Sequence, residues 1–89
     1  MPPTPRVIHD AVVEILKDVS RRPIEPALES DLIADLGFDS LQVMETISAL
    51  EDRFDISVPA EQAEDTRTVA QIVARVGALV GTRPSAGAP

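Results

Sequence analysis

The sequence predicts an all-α protein that folds as a small four-helix bundle, with three long helices, one short helix and a long loop between helices 1 and 2. Three stretches repeat apolar residues at spacings of three and four, the period of an amphipathic helix. No stretch sustains the alternation of apolar and polar residues that is typical of a strand. Prolines lie between these stretches and at both ends of the chain, where they interrupt helices.

The first helix is predicted from Pro5 to about Val19, because apolar residues recur there at spacings of four, three and four. The stretch SRRPIEPALES follows, and its prolines predict a long loop that continues to Gly37. Apolar side chains in this loop are expected to pin it across the helices: Leu28, Leu32, Ile33 and Leu36.

The second helix is predicted to begin at Asp39 or Ser40 and to end near Phe54. At about 100° per residue, one face is expected to meet the core and carries Val43, Thr46, Ile47, Leu50 and Phe54. The opposite face carries apolar and acidic side chains, namely Leu41, Met44, Glu45, Ser48, Glu51 and Asp52. This face is either an ordinary solvated surface or a docking surface for a basic partner, and periodicity alone does not choose between them.

Two further helices complete the predicted bundle. The stretch AEQAED after Pro59 is expected to form one helical turn. The last helix is predicted from about Thr68 to Val80, and Thr68 with Gln71 forms a capping box at its start. Gly81 is expected to end this helix, since glycine is common just beyond a helix C-terminus.

The two ends of the chain are expected to be disordered. Prolines crowd the N-terminus, and small residues with glycine and proline close the C-terminus. The predicted division is therefore a disordered N-terminus at residues 1–4, one domain at residues 5–80 and a disordered tail at residues 81–89.

The composition excludes several classes of function. The chain of 89 residues has 15 acidic and 8 basic side chains, a net charge of −7, which argues against nucleic-acid binding. There is no cysteine and only one histidine, so we expect neither a disulfide nor a metal site. No apolar run approaches the roughly 20 residues of a membrane span, and the start does not resemble a signal peptide. We therefore expect a monomeric cytoplasmic protein that does not bind membranes.

Ser40 is the residue whose position is chemically unusual. It follows Asp39, a good N-cap with Gln42 at the third helical position, so Ser40 is expected in the first turn. Unpaired backbone N–H groups and the helix dipole favour an anion there. The alternative is that Ser40 is itself a capping residue. Catalysis by Ser40 is disfavoured because it needs a base in contact, and the one histidine, His9, lies on the first helix.

The stretch DLGFDSLQVMETISALEDRFDISVP resembles the centre of an acyl carrier protein. An Asp-Ser-Leu triplet follows Leu-Gly and stands at the start of an acidic helix that ends in a proline-terminated connection. AEQAEDTRTVAQIV is similar to the short third helix, the threonine-rich link and the last helix of that family, so the resemblance covers residues 5–80.

This resemblance implies a carrier and not an enzyme. A phosphopantetheinyl transferase attaches phosphopantetheine to the serine of the triplet, which is Ser40 here, flanked by Asp39 and Leu41 at the cofactor site. The thiol of this arm holds acyl groups as thioesters. Partner enzymes such as ketosynthases and acyltransferases meet the second helix through basic patches, and the matching positions are Leu41, Met44, Glu45, Glu51 and Asp52.

The departures from the family pattern bear on the pathway. Gln42 stands where bacterial fatty-acid carriers usually have aspartate, Arg53 interrupts the acidic run, and Phe38 replaces a small residue. The stretch GFDSLQVMET resembles free-standing carriers of polyketide synthases, whereas the downstream half resembles fatty-acid carriers. Between the two, the resemblance favours a discrete carrier of polyketide biosynthesis, including antibiotic biosynthesis. Two alternatives stay open: a carrier of fatty-acid synthesis, and an acidic helical adaptor without a prosthetic group.

The resemblance also leads to an expectation about cargo. Carriers of the fatty-acid type shelter saturated chains between their helices, whereas many polyketide carriers leave polar intermediates largely outside. A sheltered chain that leaves Ser40 is expected to lie against Val43, Ile47 and Leu50, with Ile72 and Val73 opposite.

Overall fold

A computed structural model describes residues 3–82 of the chain. It contains four helices in the order α1 (Pro5–Val19), α2 (Ser40–Phe54), α3 (Ala60–Asp65) and α4 (Val69–Thr82). The all-α bundle of three long helices and one short helix is confirmed, as is the long loop between α1 and α2. Within residues 3–82, one isolated antiparallel β-bridge joins Asp31 and Thr68.

Helix α1 begins as its sequence predicts. The backbone N–H of Val7 donates to Thr4 Oγ1 at 3.2 Å, and Pro5 occupies the first turn, where no intrahelical N–H is needed. One face of the helix is buried and consists of Ile8, Ala11, Val12, Ile15 and Leu16. This face packs against α2 and α4, so α1 forms one side of the core.

Helix α4 begins with the predicted capping box but ends later than expected. Gln71 N–H donates to Thr68 Oγ1 at 3.2 Å, and Thr68 N–H donates to Gln71 Oε1 at 3.1 Å. The expected stop at Gly81 is wrong, because α4 continues to Thr82. A glycine ends a helix where the backbone turns left-handed, and inside a helix it costs only about 1 kcal/mol relative to alanine. Positions 81 and 82 therefore belong to α4. The other residues of the tail that was predicted to be disordered, 83–89, lie outside the described residues, as do residues 1–2 of the predicted disordered N-terminus.

The long loop contributes three large side chains to the core, and the sequence identified two of them. Leu32, Leu36 and Phe38 are buried against α1, α2 and α4. Leu28 and Ile33 are instead half exposed, so their expected role in pinning the loop is wrong. Prolines and turns give this loop no regular period, so the apolar residues that face inward are not evident from spacing.

Main-chain hydrogen bonds hold the loop against the link between α3 and α4. Leu32 N–H donates to the Arg67 carbonyl at 2.8 Å, and Val69 N–H donates to the Ser30 carbonyl at 3.2 Å. Ala70 N–H donates to the carbonyl of Leu28 at 2.8 Å, which satisfies one of the open donors at the start of α4. This pairing places the loop beside the first turn of α4.

Candidate functional site

Ser40 is the first residue of α2, and its neighbours carry out the capping. Gln42 N–H donates to Asp39 Oδ1 at 2.8 Å, and Asp39 N–H donates to Gln42 Oε1 at 3.1 Å. The N-cap role of Asp39 is confirmed, and the return hydrogen bond to Gln42 completes a capping box. Because Asp39 supplies the cap, the exposed Ser40 hydroxyl is not needed to begin the helix.

Gln42 has a structural role that the sequence interpretation missed. Its side chain is buried, and its Nε2 donates to the Val19 carbonyl at the end of α1 at 3.4 Å. Thr46, one turn later, is fully buried and donates from Oγ1 to the Gln42 carbonyl at 2.9 Å. Gln42 lies four residues before Thr46 on the core stripe, and that spacing is the signal that could have identified it.

Gly37 turns the chain into the start of α2. Its φ is +74°, in the left-handed region that glycine adopts without strain. A Cβ at this position would lie 2.6 Å from Arg22 Nη2, so the absent side chain also allows this close approach. After this turn Phe38 enters the core, while Asp39 and Ser40 remain exposed.

Ser40 borders a cavity of about 420 Å³, which we call the groove. Its apolar lining consists of Leu32, Ile33, Val43, Met44, Ala60 and Ala63, and its polar lining consists of Ser40, Glu64, Thr66 and Arg67. The volume lies in the lower part of the range of about 300–1,000 Å³ that is typical of small-molecule sites. A flexible chain attached at Ser40 therefore has an apolar recess beside its point of attachment.

The groove does not follow the route that was expected for a sheltered chain. Of the five residues named for that route, Val43 alone lines the groove. Ile47, Leu50 and Ile72 are buried, and Leu50 and Ile72 belong to the main core cluster. The open space lies instead between α2, the long loop, α3 and the link after α3.

An ion pair stands at the polar side of the groove. Arg67 Nε lies 3.5 Å from Asp31 Oδ2. Asp31 Oδ1 accepts the backbone N–H groups of Ala34 at 2.8 Å and Ile33 at 2.9 Å. These two hydrogen bonds, together with the charge of Arg67, hold the pKa of the Asp31 carboxyl below its usual value, with Ala34 as the largest cause. Asp31 is thus a carboxylate at neutral pH and fixes Arg67 from one side.

On the outer face of α2, most of the predicted docking residues are exposed, but Glu51 makes a hydrogen bond within the protein. Leu41 and Met44 are 61% and 55% exposed, and the side chains of Glu45 and Asp52 are exposed as well. Glu51 is half-buried, and its Oε2 accepts the backbone N–H of Val58 at 2.8 Å. We give the name docking face to the four exposed residues among those predicted to meet a partner, namely Leu41, Met44, Glu45 and Asp52.

The positive charge that interrupts this acidic helix is partly offset. Arg53 Nη2 lies 3.4 Å from Glu14 Oε2 on α1, so the guanidinium has a carboxylate partner. The pair is exposed on both sides and contributes little to stability. The Glu14 carboxylate therefore offsets the positive charge of Arg53 beside the acidic outer face of α2.

We also searched the described residues for a histidine partner, a metal cluster and a membrane-spanning helix. His9 Nδ1 lies 3.3 Å from Asp10 Oδ1, its neighbour on α1. Within residues 3–82, no three histidine, aspartate or glutamate side chains converge in a way that could hold a metal ion. None of the helices in that range combines the length and apolar character needed to cross a membrane.

This chain is similar in sequence and in fold to known carrier proteins. The family described as "Phosphopantetheine attachment site" matches residues 10–76. An acyl carrier protein of Amoebophilus asiaticus is 45% identical over 67 residues, which is 74% of this chain and 84% of that protein. The fold is similar to a solved structure of a candidate acyl carrier protein from Mycobacterium tuberculosis, with a TM-score of 0.76, 30% identity, and coverage of 80% of this chain and 96% of that one.

A third similarity is to the actinorhodin acyl carrier protein of Streptomyces coelicolor, solved in its acetyl form. The TM-score is 0.64 at 25% identity, over 82% of this chain and 90% of that one. The family match contains the long loop, α2 and α3, and hence Ser40 and the groove. The chain therefore belongs to the acyl carrier protein family, whose members are not enzymes but carry acyl groups on covalently attached phosphopantetheine.

Proposed function

We propose that this chain carries acyl intermediates of polyketide biosynthesis as thioesters on phosphopantetheine attached to Ser40. The observation that carries the assignment of Ser40 is its exposure in the first turn of α2, beside a cap that Asp39 supplies. Modification of this hydroxyl leaves both hydrogen bonds of the capping box in place. Ser40 is also the serine in the Asp-Ser-Leu triplet.

The surroundings of Ser40 fit the proposed group. The first turn of a helix favours a phosphodiester because its backbone dipoles point their positive end at that position. The groove begins at Ser40, so an attached chain reaches its apolar lining without unfolding any element. When bound, the arm supplies the thiol on which acyl groups are held. The protein supplies the attachment oxygen, the recess and the surface that partner enzymes contact.

Two observations support polyketide cargo. Glu64, Thr66 and Arg67 give the groove a polar side that a saturated chain does not use. In addition, the similar actinorhodin acyl carrier protein has been solved with a 3,7-dioxo-octyl cargo, at a TM-score of 0.64 and 25% identity. The second candidate is a carrier of fatty-acid synthesis, which is favoured by the six apolar residues of the groove lining.

The proposed partners are a phosphopantetheinyl transferase and synthase enzymes with basic patches, such as a ketosynthase or an acyltransferase. The docking face offers two exposed apolar anchors, Leu41 and Met44, beside the carboxylates of Glu45 and Asp52. Apolar anchors provide most of the binding energy of such a surface, and the charges steer the encounter. We further propose that the carrier acts as a cytoplasmic monomer, which leaves this face open to several enzymes in turn.

The attachment site is tested by intact mass after incubation with coenzyme A and a promiscuous phosphopantetheinyl transferase. The wild-type chain should gain one phosphopantetheine, and Ser40→Ala should gain none while melting close to wild type. Ser48→Ala is the matched control, because Ser48 is exposed on the same helix and should not affect modification. A mass gain that persists in Ser40→Ala refutes the assignment. An unmodified wild-type chain favours the adaptor without a prosthetic group.

The pathway is tested with the malonyl-loaded carrier. It should support chain elongation faster with a polyketide ketosynthase than with a fatty-acid ketosynthase at equal enzyme concentration. The opposite ranking favours the fatty-acid role and leaves the carrier assignment intact.

A further inference from the structure

We infer that Arg67 is a specificity residue of the groove, and that its guanidinium donates a hydrogen bond to a ketone oxygen of cargo carried at Ser40. Both residues line the same cavity of about 420 Å³. The inference rests on the acyl carrier role and not on the pathway, because a ketone-bearing chain has the same acceptor oxygen whichever synthase supplies it.

The chemistry of the four polar lining residues singles out Arg67. A ketone oxygen only accepts hydrogen bonds, so it needs a donor with a free N–H or O–H. The Thr66 hydroxyl already donates to the Gln62 carbonyl at 2.7 Å. The Ser40 oxygen bears the arm in a loaded carrier, and the Glu64 carboxylate offers acceptor oxygens. Among the described side chains around the groove, this leaves Arg67.

Arg67 has donors to spare. A guanidinium carries five N–H donors in a fixed plane. In this structure its Nε faces Asp31 Oδ2 at 3.5 Å. The side chain is 61% exposed, so the guanidinium stands at the rim of the groove and not beneath its apolar lining. The remaining N–H groups are therefore accessible to a chain that lies along the rim.

The backbone of Arg67 is held in place before any cargo arrives, and its side chain has one carboxylate partner. Its backbone N–H donates to Gln71 Oε1 at 2.7 Å, and its carbonyl accepts the N–H of Leu32 at 2.8 Å. The Asp31 carboxylate, which is itself held by two backbone N–H groups, restrains the side chain. These contacts reduce the side-chain entropy that Arg67 loses when it binds, so more of its interaction is available to favour the ketone.

The expected selectivity is modest because the site is exposed. A saturated chain leaves the guanidinium hydrated at no cost, whereas a ketone gains one charge-assisted hydrogen bond. For an exposed charged contact this corresponds to a factor of about three to five in the ratio of docked to undocked cargo. The apolar part of either chain contacts the same lining, so the difference between the two cargoes isolates Arg67.

The experiment compares 3-oxooctanoyl and octanoyl cargo on the wild-type carrier, on Arg67→Gln and on Arg53→Gln. The ketone carbon is labelled with ¹³C, and its chemical shift is measured against that of the same thioester on free pantetheine. Arg53→Gln is the matched control, because Arg53 is also an exposed arginine in one ion pair, at 3.4 Å, but does not line the groove. The downfield shift expected in the wild-type carrier should disappear in Arg67→Gln and persist in Arg53→Gln.

Octanoyl cargo provides the internal reference. It should shift the methyl signals of Val43 and Ala63 equally in all three proteins, because these residues belong to the apolar lining. Arg67→Lys keeps a cationic donor without the planar fork and should retain part of the ketone shift. If Arg67→Gln fails to fold, Arg67→Lys takes its place as the test variant.

Three outcomes overturn the inference. The first is no ketone shift in the wild-type carrier, and the second is an equal shift in Arg67→Gln. The third is a set of Arg67 Nη–H signals that move when the bare arm is attached but no further with the ketone. The last outcome means that Arg67 binds the arm and not the cargo. No partner enzyme takes part in these measurements, so they do not depend on the polyketide assignment.

Discussion

Replacing Glu51 by lysine tests whether this carboxylate supports the fold or belongs to the docking face. Glu51 Oε2 accepts the Val58 N–H at 2.8 Å, while its carbonyl accepts the Ile56 N–H at 3.1 Å, so the residue closes the turn after α2. A hydrogen bond to a charged group contributes about 1.5–3 kcal/mol, and half-burial places Glu51 at the lower end, about 1.5 kcal/mol. In a domain of this size that corresponds to a fall in Tm of about 6–12 °C.

Glu45→Lys is the matched control for this experiment. Glu45 is exposed on the same helix, so the same charge reversal should change stability by no more than about 0.5 kcal/mol. Glu51→Gln keeps an acceptor oxygen without the charge and should melt between wild type and Glu51→Lys. Thermal and urea unfolding measure the stabilities, and faster exchange of the Val58 amide locates the effect. If Glu51→Lys melts as high as Glu45→Lys, the carboxylate does not hold the turn.

Two further predictions concern charge. Glu45→Lys and Asp52→Lys should each slow association with a basic partner enzyme at low salt. The difference in association rate from wild type should shrink above ~0.1 M salt, where charges are screened beyond about 10 Å. Stopped-flow rates equal to wild type at low salt would contradict a steering role. Asp31 should stabilise the fold fully above its ordinary pKa of 3.8, because its folded-state pKa is lowered, and should lose this effect as the pH falls below that value. Asp31→Asn should therefore be less stable than wild type at neutral pH, with a deficit that narrows in acid; urea unfolding that shows a constant deficit would refute this.

The helices could be predicted because their signals are local. The spacing of apolar residues and the pair Asp39 and Gln42 act within one or two turns, and α2 begins and ends where they indicate. The sequence assigned Gln42 only to the cap, because capping is the usual role of a polar residue in the first turn of a helix. Its burial depends on the Val19 carbonyl of another helix, and no local pattern contains that information.

The groove could not be predicted because it depends on contacts between distant segments. Leu32 and Arg67 are joined by a main-chain hydrogen bond, which leaves no mark in the pattern of side chains. The role of Glu51 also depends on tertiary geometry: Asp55 adopts a left-handed conformation with a φ of 53°, and the chain then returns the Val58 N–H to the helix. Helical periodicity assigned Glu51 to the outer face but did not identify its partner.

The pairing of the long loop with the link before α4 has a consequence for how such carriers diversify. Leu32 N–H donates to the Arg67 carbonyl and Val69 N–H to the Ser30 carbonyl, so both bonds can form with any residue at these positions except proline at the two donors. Point mutations can therefore alter the lining while the surrounding frame keeps its register. Variants of this chain can then differ in the chemistry of the groove and still share one backbone frame.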